Sequence, residues 1–476
     1  MPARHLTAPA RALAALTLLA ALAPAQPIDI ASRRELFVDR HLIDSLHNAE
    51  LRLATPRYEG PVFPLDRPHE GPFSGYFTVI AHPAGYRIYY RGLPLPRADG
   101  STDECTAYAE SPDGVHWTKP ADNIVLRNHA PYTHNFTPFL DPRPNVPPAE
   151  RWKAIGGTVK TGLAAFASPD GLRWTRLLDA PILPPVPNGR YDSQNLAFWS
   201  PSENLYLCYF RNFKRLPNGQ SYRWVSRATS PDFRTWSEPV EMTFGDAPPE
   251  HLYTNQTSPY FRAPHIYIGI AARFLPKRQV LTDAEAKAIG VDPGYFKDTS
   301  DAVLLTTRGG STYSREFLES FLRPGLGMEN WTSRTNYPAL NLIQTGPAEM
   351  SFFVNRNYGQ PTAYVARYSL RLDGFASLHA GYQGGSMTTR PLRFQGSRLE
   401  LNYSTSAAGS VRLEILDESG KPIPGFTLQE ARELIGDQIT RTYEWSNGPN
   451  LSALANRTVR LRFHLKDADV YSWQFR

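Results

Sequence analysis

The chain has 476 residues, 41 % of them hydrophobic and 20 % charged, enough apolar material for a large core and against wholesale disorder. Its net charge of +6 is spread without a basic run, which excludes the usual footprint of a nucleic-acid binder, and two cysteines exclude a disulfide scaffold or a cysteine-based zinc motif. Aromatic residues at 12 %, with 43 prolines and 33 glycines, predict many short strands joined by tight turns.

At the N-terminus, Arg4 and Arg11 precede an uncharged apolar run over 12–25 with Ala-x-Ala spacing at Ala21, Ala23 and Ala25. This pattern predicts a cleaved signal peptide over 1–25, a mature chain starting near Gln26, and an exported, periplasmic or extracellular protein. No later stretch is apolar enough to span a membrane, so no transmembrane segment is expected in the mature chain.

Internal repetition organises the rest of the chain. Ser111-Pro112-Asp113-Gly114 with Trp117 recurs as Ser168-Pro169-Asp170-Gly171 with Trp174, and as Ser230-Pro231-Asp232-Phe233 with Trp236. A degenerate copy is Thr307-Arg308-Gly309-Gly310, and a fifth is Arg371-Leu372-Asp373-Gly374-Phe375. The unit is a turn: proline presets φ, aspartate bonds nearby amides, glycine takes positive φ, and the following Trp packs back on the sheet. Further strands lie upstream of each turn. Four antiparallel strands per unit, five times, predict an all-β fold: a five-bladed β-propeller over 70–385. Residues 26–69 are expected to pack on the propeller. An insertion over 276–297 carries a capping box, Thr282 to Glu285, and reads as a lid or a surface ornament. Alternating strands from about 386 to 476 predict a C-terminal β-sandwich.

The repeated turn resembles the Asp-box of sialidases, one residue shorter. The layout is similar to glycoside hydrolases of the invertase and arabinanase kind. The mature chain more broadly resembles exported bacterial glycosyl-hydrolase-like proteins, through Leu36-Phe37-Val38-Asp39, His134-Asn135-Phe136, Tyr191-Asp192-Ser193-Gln194-Asn195, Arg371-Leu372-Asp373-Gly374-Phe375 and Tyr471-Ser472-Trp473-Gln474-Phe475. The resemblance implies the fold and a carbohydrate partner. The Asn-Asp-Pro-Asn and Arg-Asp-Pro motifs of invertases are missing, so their residue roles do not carry over.

Blade topology locates a site. Starts of first strands, ends of second strands and starts of third strands share one end of the channel. Those positions hold Glu70, His134, Asn135, Asp192, Asn255 and Gln256; then Arg91, Arg211, Arg273 and Arg356; then Glu104 and Asp301. Glycoside hydrolysis needs a protonated and an ionised carboxyl across the bond. Asp192 is the expected ionised group. Glu104 is the expected acid, raised by nearby tyrosines, with Asp301 and Glu70 in reserve. His134, Asn135, Gln194, Asn195, Asn255, Gln256 and the four arginines are expected to bind sugar. No cofactor or catalytic metal is expected. The expected function is a secreted glycosidase removing an exo-position sugar from a plant or algal polysaccharide. The alternatives are a non-catalytic carbohydrate-binding propeller and a sialidase-like enzyme on an acidic sugar.

Overall fold

The computed structural model describes residues 26–127, 129–186 and 190–476; the signal peptide expected over 1–25 lies outside the described residues. Five sheets of antiparallel strands form a five-bladed propeller. The first blade runs through Gly75–His82, Gly85–Gly92, Cys105–Ser111 and Ile124–Leu126. The second is Thr137–Leu140, Trp152–Thr158, Gly162–Ser168 and Thr175–Arg176. The third is Leu196–Ser200, Leu205–Arg215, Ser221–Ser230 and Val240–Glu241. In the fourth, the inner strand is interrupted into Leu252–Thr254 and Thr257–Tyr260, which both pair with Ala263–Leu275, followed by Thr299–Thr307.

The fifth blade closes the ring. Its inner pieces Tyr337–Pro338 and Ile343–Gln344 pair with Glu349–Arg356, then Tyr364–Arg371, and its outermost strand is Arg57–Pro64 from near the N-terminus. Backbone bonds from Val79 N to Leu340 O (3.0 Å) and from Leu340 N to Phe77 O (2.8 Å) join the first and last inner strands. A ring sealed this way leaves no free edge between its ends, which removes a template for aggregation.

Three turn copies are geometrically equivalent. Ser111 Oγ accepts from Gly114 N at 2.8 Å, Asp113 Oδ1 accepts from Val115 N and His116 N at 2.8 Å, and Trp117 Nε1 donates to Gly114 O at 3.1 Å. The same bonds recur around Asp170 with Trp174 and around Asp232 with Trp236. In the third copy Phe233 takes the glycine position at φ 67°.

The fifth copy departs from this pattern. Asp373 is fully buried and accepts from Tyr260 Oη (2.8 Å) and Ser472 Oγ (2.6 Å), with Arg34 at 3.3 Å and Arg262 at 3.0 Å. It therefore fastens the propeller to a ten-stranded sheet instead of capping a surface hairpin. That sheet takes Ile28–Ala31, Arg34–Leu36, Ile43–His47 and Glu50–Leu53 from the N-terminal side and six strands from Ala376 onward. Its spine is the pairing of Leu399–Asp417 with Val459–Phe475, and it has its own apolar core, including Trp445, Trp473 and Phe475. Residues beyond 386 thus extend this sheet and add no blade to the ring.

Candidate functional site

At the starts of the inner strands, blade after blade carries a non-glycine residue in the left-handed region: Tyr76, Asn135, Tyr191, Gln256 and, in the fifth, Arg334 and Asn336. Such backbone costs about 1–3 kcal/mol per residue and clusters where side chains must be aimed. Here the turns aim polar groups inward. Gln194 Nε2 donates to Thr78 Oγ1 (2.9 Å), and Gln256 Nε2 donates to Gln194 Oε1 and to Pro338 O, both at 2.7 Å. Asn135 Nδ2 donates to Ser193 O at 2.8 Å, Ser193 Oγ to Tyr253 O at 2.5 Å, and Asn355 Nδ2 to Ser74 O at 2.8 Å. An amide network from all five blades therefore closes the channel floor. Asn135 Oδ1, Gln256 Oε1 and Asn355 Oδ1 stay buried without a protein partner.

Above this floor lies a cluster of arginines, tyrosines and carboxylates. Arg91 bonds Asp99 at 2.7 Å and Tyr358 Oη at 3.1 Å, and lies 4.6 Å from the Tyr76 ring centre. Arg211 bonds Asp192 at 2.6 Å. The guanidinium carbons of Arg211, Arg223 and Arg334 sit 5.2, 5.3 and 5.5 Å from the centre of one ring, Tyr253. Beneath them a cavity of about 10 Å³, room for about one water, is bounded by Tyr76, Arg91, Arg334, Tyr337, Asn355 and Tyr358. The 276–297 insertion covers part of this rim. Its helix Asp283–Ala288 has the expected capping box, its Tyr295 and Phe296 pack with Phe73, Leu93 and Tyr358, and Tyr295 lies 4.9 Å from Arg334.

The carboxylates differ in access. The side chains of Asp192 and Asp99 are 54 % and 39 % exposed, whereas that of Glu104 is 0 % exposed. Glu104 accepts from His134 Nδ1 (2.9 Å), Gly100 N (2.7 Å) and Asn135 N (3.3 Å). Burial pushes its pKa up, but His134, Arg91 and the Gly100 amide outweigh it and hold the carboxyl below its ordinary value. The expectation of a Glu104 raised by tyrosines is corrected: it is an ionised, fully bonded anchor of the 134–135 turn. Asp99 is also held low. Burial pushes it up, and Arg91, His134 and Arg334 overcome that push.

The remaining expected residues separate. Glu70 is buried between the first and fifth blades, bonded by Tyr90 Oη (2.6 Å) and Lys119 Nζ (2.8 Å), whose ammonium also reaches Pro64 O. Asp301 forms a two-pronged pair with Arg273 at 2.8 and 2.6 Å, and Arg273 also holds Glu250. Arg356 donates to Pro324 O and Asn336 Oδ1, toward a cleft lined by Tyr58 and Tyr364. Asn195 and Asn255 brace their own turns, through Tyr191 O and Thr257 N. Asp192, Arg91, Arg211, His134, Asn135, Gln194 and Gln256 are thus brought to one rim, while Glu70, Asp301, Arg273 and Arg356 are held in other pairings. Sequence reasoning missed Asp99, Arg223, Arg334 and the tyrosines. Tyr253 and Tyr337 obey the same strand-start rule and were findable; Asp99 sits in a loop that no strand pattern marks.

Among the described residues no group of three or more His, Cys, Asp or Glu is arranged to hold a metal, and no helix is long and apolar enough to cross a membrane. Both cysteines, Cys105 and Cys208, are buried free thiols.

No protein-family model matches the sequence, and no curated protein does. Among solved structures, the chain is similar to one described as a glycoside hydrolase, at 13 % identity and a TM-score of 0.46, over 67 % of this chain and 92 % of that one. It is similar to an N-acetylgalactosamine deacetylase from F. plautii, at 14 % identity and 0.45, over 68 % and 96 %. A third is an endo-arabinase from Bacteroides thetaiotaomicron, at 10 % identity and 0.40, over 66 % and 98 %. Likenesses this distant carry no argument about what this chain does.

Proposed function

We propose that the protein is an exported glycoside hydrolase that removes an exo-position sugar from a plant or algal oligosaccharide at the strand-start rim. The observation that supports this is the convergence of two solvent-reachable carboxylates, Asp192 and Asp99, with arginines, amides and tyrosine rings over a closed polar floor. Sugars need amide and guanidinium partners for their hydroxyls and flat apolar faces to stack on, and this rim supplies both. A floor that shuts the channel favours action on a chain end over threading of a polymer.

In this reading Asp192 is the ionised carboxylate, kept oriented by Arg211, and acts as base or nucleophile. Asp99 supplies the proton. In the free protein its neighbours hold it ionised; a sugar that excludes water strengthens the burial effect, and a substrate group paired with Arg334 weakens the opposition. Glu104 positions Asn135 through its backbone amide.

The second reading, a non-catalytic carbohydrate-binding propeller, draws on the fact that Asp192 and Asp99 each already carry an arginine. A screen of the chain from Gln26 onward against aryl glycosides and plant and algal oligosaccharides, with products read by chromatography, separates the two. Release of terminal sugars is expected. Tight binding without product from any oligosaccharide bound would favour the binding module.

A further inference from the structure

The charges at the rim do not balance. Arg91 is matched by Asp99 and Arg211 by Asp192, at 2.7 and 2.6 Å. Arg223 and Arg334 have no carboxylate within ion-pair distance among the described residues, and neither guanidinium makes a side-chain hydrogen bond there. Arg223 is held between aromatic rings, 4.6 Å from the centre of Phe274, 5.3 Å from Tyr253 and 5.7 Å from Phe213, and its Nε is buried without a partner. Arg334 lies 4.9 Å from Tyr295 and 5.5 Å from Tyr253, on a residue whose own backbone is left-handed at φ 59°. Both are only partly buried.

The surroundings suit an anion. Tyr337 Oη is buried without a partner beside them. Its phenol is pushed well above its ordinary pKa by burial, so it keeps its proton and can donate. Elsewhere partly buried arginines find an oxygen: Arg273 pairs with Asp301 and Glu250, Arg308 with Glu35 and Asp39, and Arg367 with Glu349, while Arg143, Arg176 and Arg412, which have no carboxylate, donate to the carbonyls of Pro231, Asp179 and Leu428. Arg223 and Arg334, two guanidinium groups over one tyrosine at the rim where the carboxylates meet, have neither a carboxylate nor a carbonyl acceptor among the described residues. Ring contacts stabilise a cation only weakly and leave its N–H donors unused.

We infer that Arg223 and Arg334 bind an oxyanion carried by the substrate, a sugar carboxylate or a sulfate ester, so that the enzyme acts on anionic oligosaccharides. This rests on the glycosidase reading for the word substrate, but the binding claim is testable alone. Guanidinium forks match the planar oxygens of a carboxylate and the faces of a sulfate, and bonds to ionised groups are roughly twice as strong as neutral ones.

The test is calorimetric titration of the mature chain at low salt with four probes: trigalacturonate, its carboxyl-reduced neutral counterpart, a sulfated galactan trisaccharide and its desulfated counterpart. One charged probe is expected to bind at least tenfold tighter than its neutral counterpart, and the probe that does so identifies the anion. Raising the salt should shrink that preference. R334Q should abolish it with the melting temperature retained, R334K should keep part of it, and R223Q should weaken it. Equal binding of charged and neutral partners, no binding of either charged probe, or a preference intact in both R334Q and R223Q would overturn the inference. A surviving preference with no cleavage of any glycoside would instead remove the hydrolase reading and leave the anion site standing. Cleavage of neutral glycosides together with equal binding of charged and neutral probes would do the reverse.

Discussion

The two ends of the channel are made by the same strands and have opposite chemistry. At one end the inner strands begin, on left-handed residues that turn amides, arginines and tyrosines toward the axis. At the other end the same strands finish in short hairpins, around an apolar depression of about 350 Å³ lined by Ile80, Phe139, Trp199, Phe261 and Leu342, one from each blade. The far end is larger and emptier, yet Arg151 is the only charged residue among those lining it. Hydrolytic chemistry needs titratable groups and directed donors. Under the proposed hydrolase reading the reactive end is therefore the one with backbone strain and unmatched charge, and not the one with the larger cavity.

Substitutions at both ends put this contrast under the heaviest load. Asp192→Asn keeps shape and removes charge, so turnover should fall by several orders of magnitude in a steady-state assay while thermal stability stays nearly unchanged. Phe261→Ser, at an exposed position of the far end, should leave turnover unaltered. Near-normal turnover in Asp192→Asn would remove that residue from the mechanism.

A second test concerns the turns that hold the blades. A Cβ on Gly171, which sits at φ 77°, would lie 2.6 Å from Tyr89 Oη and 2.8 Å from Trp152. Gly171→Ala should therefore cost about 3 kcal/mol in denaturant titration, from strain plus overpacking. Gly219→Ala, at φ 82° with no atom within 4 Å of the new carbon, should cost only about 1 kcal/mol.

Asp301→Asn separates a structural carboxylate from the site. It breaks the two-pronged bond to Arg273, which keeps Glu250, and both side chains are mostly buried. A loss of about 2 kcal/mol in stability is expected, with turnover unchanged. A fall in kcat of a hundredfold or more would return Asp301 to the active rim.

The smallest effect is a pH dependence. Burial pushes the Asp170 carboxyl up, but bonds from the Arg173 and Leu172 amides, the Arg173 side chain and Ser168 lower it to about 2. A depressed carboxyl contributes stability above its unfolded pKa of about 3.9, and the contribution is lost as pH falls toward about 2. Because the group is partly exposed, the contribution is about 1 kcal/mol or less after solvent screening. Asp170→Asn should be less stable than wild type at pH 7, and the gap should narrow between pH 4 and 2.

The repeat was legible because the turn is local: Ser, Asp and Trp within seven residues make every bond that defines it. The ring's closure was not, since Arg57–Pro64 pairs with Tyr364–Arg371 across about 300 residues and nothing in its own pattern names that partner. The strand-start rule placed Asp192, His134 and Gln256 at one end of the channel because those residues open inner strands. It also picked Glu70 and Asp301, because position along a strand does not say which way a side chain turns or which cation waits beside it. Phe233, Tyr76 and Arg334 adopt positive φ without being glycine, which local propensity does not foretell. Asp99 was invisible for a related reason, being set by a loop that folds back to Arg91.

Whether the strand-start rim is where sugar binds can be seen outright in a crystal structure of the Asp192→Asn chain from Gln26 onward, soaked with an oligosaccharide it binds. The terminal sugar is expected at that rim, over Tyr253 and Tyr76, within hydrogen-bond distance of the substituted side chain at position 192 and of Asp99. A sugar seated instead in the apolar depression by Trp199 and Phe261, or in the cleft beside Tyr58 and Tyr364, with nothing bound at the rim, would contradict it.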